Sequence, residues 1–102
     1  MTRGEVWWLH RPHRKPRPVC VLSREEAIPV MGRLVVATAT TRRRQIPTEV
    51  ELGPQDGMPR ACVLSLDNVI TVRRALLTDR ITTLSPARMH QVCRALAIAT
   101  GC

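Results

Sequence analysis

Apolar residues recur along this chain in short runs separated by turn residues, a pattern typical of β-strands. Residues 5–9 combine Val6 with two tryptophans and a leucine, and they are predicted to form a first strand. A continuous apolar run over residues 18–23 predicts a central strand, and residues 34–38 predict a third strand. Residues 10–16 hold two prolines among histidines and basic residues, which predicts a loop between the first two strands.

The same pattern continues in the second half of the chain. Within residues 48–52, Val50 and Leu52 alternate with Glu49 and Glu51, which predicts a fourth strand with one buried face. The other predicted elements are a turn over residues 53–59, strands over residues 61–66, 68–72 and 81–84, and one helical turn within residues 73–79.

The C-terminal segment carries a helical pattern instead. Ser85 suits the N-cap, Pro86 suits the first helical position, and Gly101 suits the stop. Arg88 and Arg94 are expected to lie away from the apolar face of this helix. That face is formed by Met89, Val92, Cys93, Leu96 and Ala99. Five or six short strands followed by one helix predict a mainly β fold, a compact β-barrel with a helix packed on it.

The chain has 102 residues, which fits a single domain over residues 1–102 with a small core. Trp7 and Trp8 are its only aromatic residues, so aliphatic side chains must fill the core and a partner chain is expected to add stability. The formal net charge of +8 is unevenly spread. Residues 1–47 hold ten basic and three acidic side chains, whereas residues 48–102 hold six and five.

This one-sided basic field suits a polyanion such as nucleic acid, although an acidic protein segment could use the same field. Fifteen of the sixteen basic residues are arginine, which binds phosphate bidentately and stacks on bases. The arginine bias therefore favours nucleic acid. A GC-rich coding sequence would produce the same bias, so composition alone does not identify the partner.

The cysteines predict neither a metal site nor a disulfide framework. Cys20, Cys62 and Cys93 stand in apolar runs and are expected to be small core residues, whereas Cys102 is expected to be exposed. No Cys-x-x-Cys pair or zinc spacing is present, and no cofactor is expected. With no signal peptide before Gly4 and no apolar stretch of membrane-spanning length, a reduced, cytoplasmic protein without a membrane partner is expected.

Polar chemistry is densest between the third and fourth predicted strands. Thr40 and Thr41 are followed directly by Arg42, Arg43 and Arg44. Hydroxyl and guanidinium groups at the mouth of a hairpin can donate several hydrogen bonds to a phosphate. The alternative is a solvated hairpin tip, which is the usual role of a charge run.

Arg17 stands at the entry of the second predicted strand, between Pro16 and Pro18. Both prolines stiffen the backbone there, so the guanidinium is pre-organised in the way that transition-state stabilisation requires. The alternative is an ordinary arginine at a strand entry.

Other polar residues carry weaker signals. His10 and His13 could act as acid and base in RNA cleavage, but two histidines in one basic loop are more often solvated. His90 is expected at the surface of the helix. Asp67 is expected to form a structural bend with an Asx-type hydrogen bond.

Taken together and in this order, these residues resemble the MazF/PemK (Kid-type) family of toxin endoribonucleases over nearly the whole chain. The similar segments are Arg3-Gly4-Glu5-Val6-Trp7-Trp8, Arg17-Pro18-Val19, Thr40-Thr41 with Ile46-Pro47-Thr48-Glu49-Val50, Asp67-Asn68-Val69-Ile70-Thr71-Val72, and Leu84-Ser85-Pro86.

The resemblance implies an SH3-like small barrel of the CcdB/MazF type, with a C-terminal helix, that forms a homodimer. It implies a ribosome-independent, sequence-specific endoribonuclease that cleaves single-stranded RNA without a metal and so inhibits translation and growth. The target stays open between mRNA and the loops of tRNA or rRNA. A cognate antitoxin with an acidic, flexible C-terminal segment is expected to cover the RNA groove.

The family's catalytic arginine falls on Arg17 and its catalytic Thr/Ser on Thr40, with Thr41 as a one-residue alternative. The expected chemistry is attack by the RNA 2′-OH, giving a 2′,3′-cyclic phosphate and a 5′-OH. Because the pKa of arginine is roughly 12 or higher, charge stabilisation by Arg17 is favoured over proton transfer. The residues predicted to bind RNA are Arg14, Lys15, Arg42, Arg43, Arg44, His10, His13 and Asn68.

The chain departs from the family pattern at two places. The loop over residues 10–16 is short and lacks the family's glutamate, which leaves open whether His10 or His13 replaces it. Ile70 stands where the family commonly has arginine. Both departures leave the cleavage sequence open, and the short loop suggests a groove open enough for a folded RNA.

Two other functions compete with this interpretation. A CcdB-like inhibitor of DNA gyrase relies on a Trp-Gly-Ile-type C-terminus, whereas this chain ends Ala99-Thr100-Gly101-Cys102. A non-catalytic, basic nucleic-acid-binding module would keep the charge but would not need Arg17 and Thr40.

Overall fold

The computed structural model describes all 102 residues and contains one six-stranded antiparallel sheet and a C-terminal helix. The strands are β1 (Glu5–Leu9), β2 (Arg17–Val21), β3 (Arg33–Thr40), β4 (Glu49–Leu52), β5 (Cys62–Arg73) and β6 (Leu77–Thr83). The helix α1 spans Pro86–Thr100, and short 3-10 turns cover Pro54–Asp56 and Arg74–Leu76. The strand order is β4-β5-β3-β2-β1-β6. The predicted mainly β fold with a closing helix is confirmed.

Apolar side chains on both faces of the sheet form two buried clusters. The first, of fourteen residues, includes Val92 of α1 and therefore joins the helix to the sheet. The second, of eight residues, lies on the other face. Strand β3 contributes to both clusters because its side chains alternate: Ala37 belongs to the first, and Leu34 and Val36 to the second.

The longest pairing joins β3 to β5, and it shifts register at Ala37. Ala37 lies opposite Val69, whereas the next residue, Thr38, lies opposite Ser65. Three residues of β5 are displaced from the ladder between those positions, and the strand bends there. The two strands predicted over residues 61–66 and 68–72 are therefore one bent strand.

The bend is stabilised by contacts to the start of β4. Asp67 accepts a short hydrogen bond from the hydroxyl of Thr48, so the predicted local Asx-type bond at Asp67 is wrong. The backbone N–H of Leu66 donates to the carbonyl of Thr48, and the Leu66 side chain is buried in the first cluster.

Strands β3 and β4 do not pair with each other, so the predicted hairpin around the arginine run is wrong. Both strands pair antiparallel to β5, which lies between them, and they therefore run in the same direction. A tight hairpin can join only antiparallel strands, so two strands that run in the same direction need a longer connection. Residues 41–48 form this connection. The helical turn predicted within residues 73–79 is limited to Arg74–Leu76 in the structure, because β6 begins at Leu77.

Helix α1 begins and ends where its capping residues predict. The Ser85 side chain accepts a hydrogen bond from the backbone N–H of Arg88, and Gly101 adopts the left-handed conformation at the C-terminus with φ 74°. Cys93 is exposed, which corrects its assignment to the core. It follows the buried Val92 by one residue, or about 100° of helical rotation. No helix has the length and apolarity needed to cross a membrane.

Arg88, which was predicted to lie away from the apolar face of α1, pairs with Asp56 in the turn after β4. The Arg88 Nε atom donates to Asp56 Oδ1 at 2.9 Å, and the backbone N–H of Gly53 donates to Oδ2 at 2.9 Å. Burial alone would raise the pKa of Asp56, but these hydrogen bonds and the Arg88 charge hold that pKa below its ordinary value. The pair ties α1 to the turn after β4.

We expect Asp56→Asn to lower the free energy of unfolding by about 1–3 kcal/mol at pH 7, because it leaves the Arg88 guanidinium without its carboxylate. The folded-state pKa of Asp56 is depressed, so the stabilisation is complete above the ordinary aspartate pKa and is lost as pH falls through the folded value. The unfolding free energies of wild type and Asp56→Asn, measured in urea, should therefore begin to converge only below about pH 4 and become equal below the folded-state pKa of Asp56.

Asp79→Asn is the matched control. Asp79 is exposed on β6 and accepts a hydrogen bond only from its neighbour Thr78. Its substitution should change stability by less than about 0.5 kcal/mol. Equal losses in the two variants would contradict a specific role for the Arg88–Asp56 pair.

Candidate active site

A groove of about 670 Å³ crosses one end of the sheet, where β1 and β3 end and β2 and β5 begin. We call it the strand-end groove. It is lined by Trp8, Arg11, Arg14, Lys15, Pro16, Arg17, Pro18, Ala39, Thr40, Thr41, Met58, Pro59, Arg60 and Cys62. Because the groove passes over strand ends, residues that belong to both faces of the sheet contribute to it.

The strand-end groove brings together the two residues that the sequence predicts to be catalytic. Arg17 is the first residue of β2, and Thr40 is the last residue of β3. Val19 lies opposite Thr38, and this register continued by two residues places Arg17 opposite Thr40. Residues opposite each other in an antiparallel pair have Cβ atoms about 5 Å apart. Both side chains can therefore contact one phosphate.

Arg17 is exposed and makes no ion pair within the protein. Pro16 and Pro18 fix the backbone φ angle on each side of it. Its guanidinium donors are thus available to a ligand while its backbone is held at the edge of the sheet. This arrangement is suited to binding an anion in a fixed position.

Thr40 is held by a local hydrogen bond. Its Oγ1 atom accepts from the backbone N–H of Arg42 at 3.2 Å, which leaves the hydroxyl proton free for donation. Thr40 is half-buried, whereas Thr41 is exposed. Both line the strand-end groove, so the one-residue alternative is also placed at the site.

The arginine run lies outside the lining of the strand-end groove. Its loop is tied back to β4, since the carboxylate of Glu49 accepts from the backbone N–H groups of Arg44 and Gln45 at 3.0 and 3.1 Å. Arg43 forms an exposed ion pair with Glu51 at 3.4 Å. Arg42 and Arg44 are exposed and make no ion pair.

The other residues predicted to bind RNA divide into two groups. Arg14 and Lys15 line the strand-end groove, whereas His10, His13 and Asn68 do not. The two histidines are exposed. The structure therefore places no imidazole beside Arg17 and Thr40. RNA binding by the two histidines remains a prediction, and any such contact lies outside the groove lining.

Asn68 lies at the bend in β5, where its side-chain amide donates to Ser65 Oγ at 3.1 Å. This contact stabilises the displaced segment of the strand. Any contact of Asn68 with RNA would occur outside the strand-end groove.

The groove also contains residues that the sequence did not identify as part of a site, among them Trp8, Arg11, Met58 and Arg60. Arg11 belongs to the basic loop over residues 10–16, beside the exposed His10. Met58 and Arg60 come from the turn before β5, and only the long-range pairing of β5 with β3 brings that turn to Thr40. No local signal identifies them.

The strand-end groove is strongly positive. Its basic residues are Arg11, Arg14, Lys15, Arg17 and Arg60, and no acidic residue lines it. Burial lowers the pKa of Arg11, and the neighbouring charges of Arg14 and Arg17 lower it further. Like charges are thus held close enough to repel one another, which favours the binding of a polyanion.

The groove offers no thiolate nucleophile. Burial raises the pKa of Cys62, which lines the groove, and raises that of Cys20 in the core to about 12. Both thiols are therefore protonated at neutral pH. No three His, Cys, Asp or Glu side chains lie together as a metal site would require. The chemistry available in the groove is hydrogen-bond donation to an anion.

Comparison with known proteins agrees with this chemistry. Residues 2–100 match the family model described as PemK-like, MazF-like toxin of type II toxin-antitoxin system. Two Mycobacterium tuberculosis proteins are similar over essentially the whole chain. "Probable endoribonuclease MazF5" is 44% identical over 102 residues, covering 99% of this chain and 94% of the relative. "Probable endoribonuclease MazF2" is 41% identical over 103 residues, covering 100% of both.

A solved structure extends the similarity to the fold. The "Endoribonuclease in complex with its cognate antitoxin from Mycobacterial species" superposes with a TM-score of 0.89 at 31% identity, covering 99% of this chain and 95% of that one. Fold, groove and sequence therefore lead to one assignment: the chain belongs to the PemK-like, MazF-like family of toxins of type II toxin-antitoxin systems.

Proposed function

We propose that this single-domain protein is the toxin of a type II toxin-antitoxin pair and a sequence-specific endoribonuclease. It cleaves single-stranded RNA in the cytoplasm, without the ribosome and without a metal, and so inhibits translation and growth. The observation that carries this proposal is that an unpaired Arg17 and Thr40 line the same groove, which holds five basic and no acidic side chains. The names of the similar M. tuberculosis proteins support RNA cleavage as the activity.

The substrate supplies its own nucleophile in this mechanism. The RNA 2′-oxygen attacks the adjacent phosphorus, a new P–O2′ bond forms, and the P–O5′ bond breaks. The products are a 2′,3′-cyclic phosphate and a 5′-OH. The 2′-OH releases its proton to water, and the departing 5′-oxygen gains one.

The protein stabilises the charge that develops on the phosphorus substituents. Arg17 donates two hydrogen bonds to the non-bridging oxygens, and Thr40 donates its free hydroxyl proton to the phosphate or orients the 2′-OH. No carboxylate or imidazole lines the groove to act as a general base. Electrostatic stabilisation is therefore the main contribution of the protein, and proton transfer by Arg17 is secondary.

The remaining basic residues provide affinity along the RNA backbone. Arg11, Arg14, Lys15 and Arg60 flank the reacting phosphate within the groove. The exposed loop arginines extend the positive surface beyond it. Contacts of this kind make binding strongly salt-dependent, while each one alone is replaceable.

Two protein partners follow from the same features. A cognate antitoxin with an acidic, flexible segment would complement five basic and no acidic side chains in the groove. A second copy of the chain would cover apolar side chains that the monomer leaves exposed, among them Val30 at 80% and Met31 at 51%. We propose that the protein acts as a homodimer that the antitoxin inhibits.

The activity is tested with purified protein and mixed-sequence RNA in excess EDTA. We expect cleavage at a short sequence. The downstream fragments should carry a 5′-OH, so a polynucleotide kinase should label them without prior removal of a phosphate. A 2′,3′-cyclic phosphate should be detected at the other end. A strict requirement for a divalent metal, or fragments with 5′-phosphates, would contradict the mechanism.

Arg17→Ala should lower kcat by about 100-fold or more, because it removes the donor to the phosphorane. RNA binding should weaken only a few-fold, since four other basic residues line the groove. Arg17→Lys should restore little activity because a lysine does not bind bidentately. Arg24→Ala is the matched control, because it removes the same charge from an exposed position outside the groove. If wild type and Arg17→Ala bind RNA equally and neither cleaves it, the protein is a binding module.

Thr40→Val and Thr41→Val separate the two candidate hydroxyls. Thr40→Val should slow single-turnover cleavage by about 10- to 100-fold through loss of one donor, while Thr41→Val changes it less than about threefold. Thr40→Ser should keep most of the rate, since it preserves the hydroxyl that accepts from Arg42. The reverse ranking of the two valine variants would assign the role to Thr41.

A further inference from the structure

We propose that Trp8 is a platform on which one unpaired base of the bound RNA stacks. The identity of the ligand rests on the proposed function, whereas the availability of the indole rests on the structure alone. Nothing in the sequence distinguished Trp8 from Trp7, and both were expected only to form a strand. Their environments in the folded protein differ.

Trp7 is committed to the fold. Its Nε1 atom donates to Glu5 Oε1 at 2.9 Å, and its ring packs against the second cluster. Trp8, on the alternate face of β1, makes no hydrogen bond through its indole and belongs to neither cluster. It is half-buried and lines the strand-end groove. Its aromatic surface is therefore available to a ligand.

The surroundings of Trp8 match the two chemical parts of a nucleotide. Apolar side chains lie with it in the groove, including Pro18, Ala39 and Met58, and the five basic residues line the same space. A flat apolar surface beside guanidinium groups is the combination with which proteins bind single-stranded nucleic acid, stacking the bases and pairing with the phosphates. An acidic peptide would use the charges but has no base to place on the indole.

Trp8 also lies close to the proposed reaction centre. It stands opposite Pro18 in the β1–β2 pairing, and Pro18 adjoins Arg17 in the chain. Trp8 and Arg17 leave opposite faces of the sheet, but the groove crosses the strand ends and both side chains line it. A base attached beside the phosphate that Arg17 holds would reach the indole. Stacking there would position the nucleotide for in-line attack.

The absence of other fluorophores makes this proposal directly measurable. The chain has two tryptophans, no tyrosine and no phenylalanine. In Trp7→Phe, Trp8 is the only indole; in Trp8→Phe, Trp7 is the only one. A single-stranded DNA oligonucleotide serves as the probe, because it lacks the 2′-OH and is not cleaved. We expect saturable quenching of the Trp8 emission and little change in the Trp7 emission.

Two further probes identify the cause of the quenching. An oligonucleotide of equal length whose bases are replaced by abasic sites retains its phosphates, and it should bind without quenching Trp8. Poly-glutamate represents an acidic protein partner and should also leave the emission nearly unchanged. Equal quenching by the abasic oligonucleotide would show that the indole responds only to charge. Equal quenching by poly-glutamate would assign the surface to a protein partner. Either result overturns the proposal.

Substitution of Trp8 tests the energetic consequence. Trp8→Leu keeps an apolar side chain but removes the ring, and it should weaken oligonucleotide binding by about 5- to 100-fold. Trp8→Phe should retain most of the affinity because it keeps an aromatic face. Circular dichroism melting of both variants controls for folding. Equal loss of binding in the two variants would indicate a structural role and overturn the proposal.

These results are independent of the test of the proposed function. If the wild-type protein cleaves no RNA, the proposed activity fails, while quenching by the oligonucleotide would still support base stacking on Trp8. If the wild-type protein cleaves RNA but the Trp8 emission is unchanged on binding, the stacking proposal fails and the activity stands.

Discussion

The pairing of β3 with β5 is the contact on which the rest of the structure depends. Strand β3 supplies side chains to both apolar clusters, and β5 carries the register shift at Ala37 that bends the sheet. Beyond the shift, Thr40 lies opposite Val63, so the end of β3 meets the start of β5. The same pairing brings the turn with Arg60 to the groove. The core and the strand-end groove thus both depend on one ladder of backbone hydrogen bonds.

The sequence predicts those parts of the fold that local chemistry decides. The sequence locates β1 and α1 correctly because each is defined within a few residues: β1 by a short run that favours strands, and α1 by Ser85 and Gly101 at its ends. The pairing of β3 and β4 was predicted wrongly, since the insertion of β5 between them depends on contacts distant in sequence. Cys93 was wrongly predicted to be buried because it follows the buried Val92 and fits the same helical periodicity, although its side chain is exposed.

The candidate site was predictable where a residue carries its own signal. Arg17 is flanked by two prolines, and Thr40 ends an apolar strand, so the local sequence marks both residues. The arginine run gave the densest signal, yet it lies outside the groove because Glu49 holds its loop to β4. Trp8 and Arg60 had no local signal, since their role arises from convergence of strand ends in the fold.

Burial lowers the pKa of Arg11, and the nearby charges of Arg14 and Arg17 lower it further, so these three basic residues repel one another in the free protein. Folding holds these charges together, so part of the stabilisation from the core offsets that repulsion. By thermodynamic linkage, a polyanion that occupies the groove stabilises the folded chain as well as binding it. We therefore expect the free protein to be less stable than its complex with a polyanion, and we expect salt to weaken the repulsion within the groove. Release of a polyanionic partner therefore lowers the free energy of unfolding of the chain.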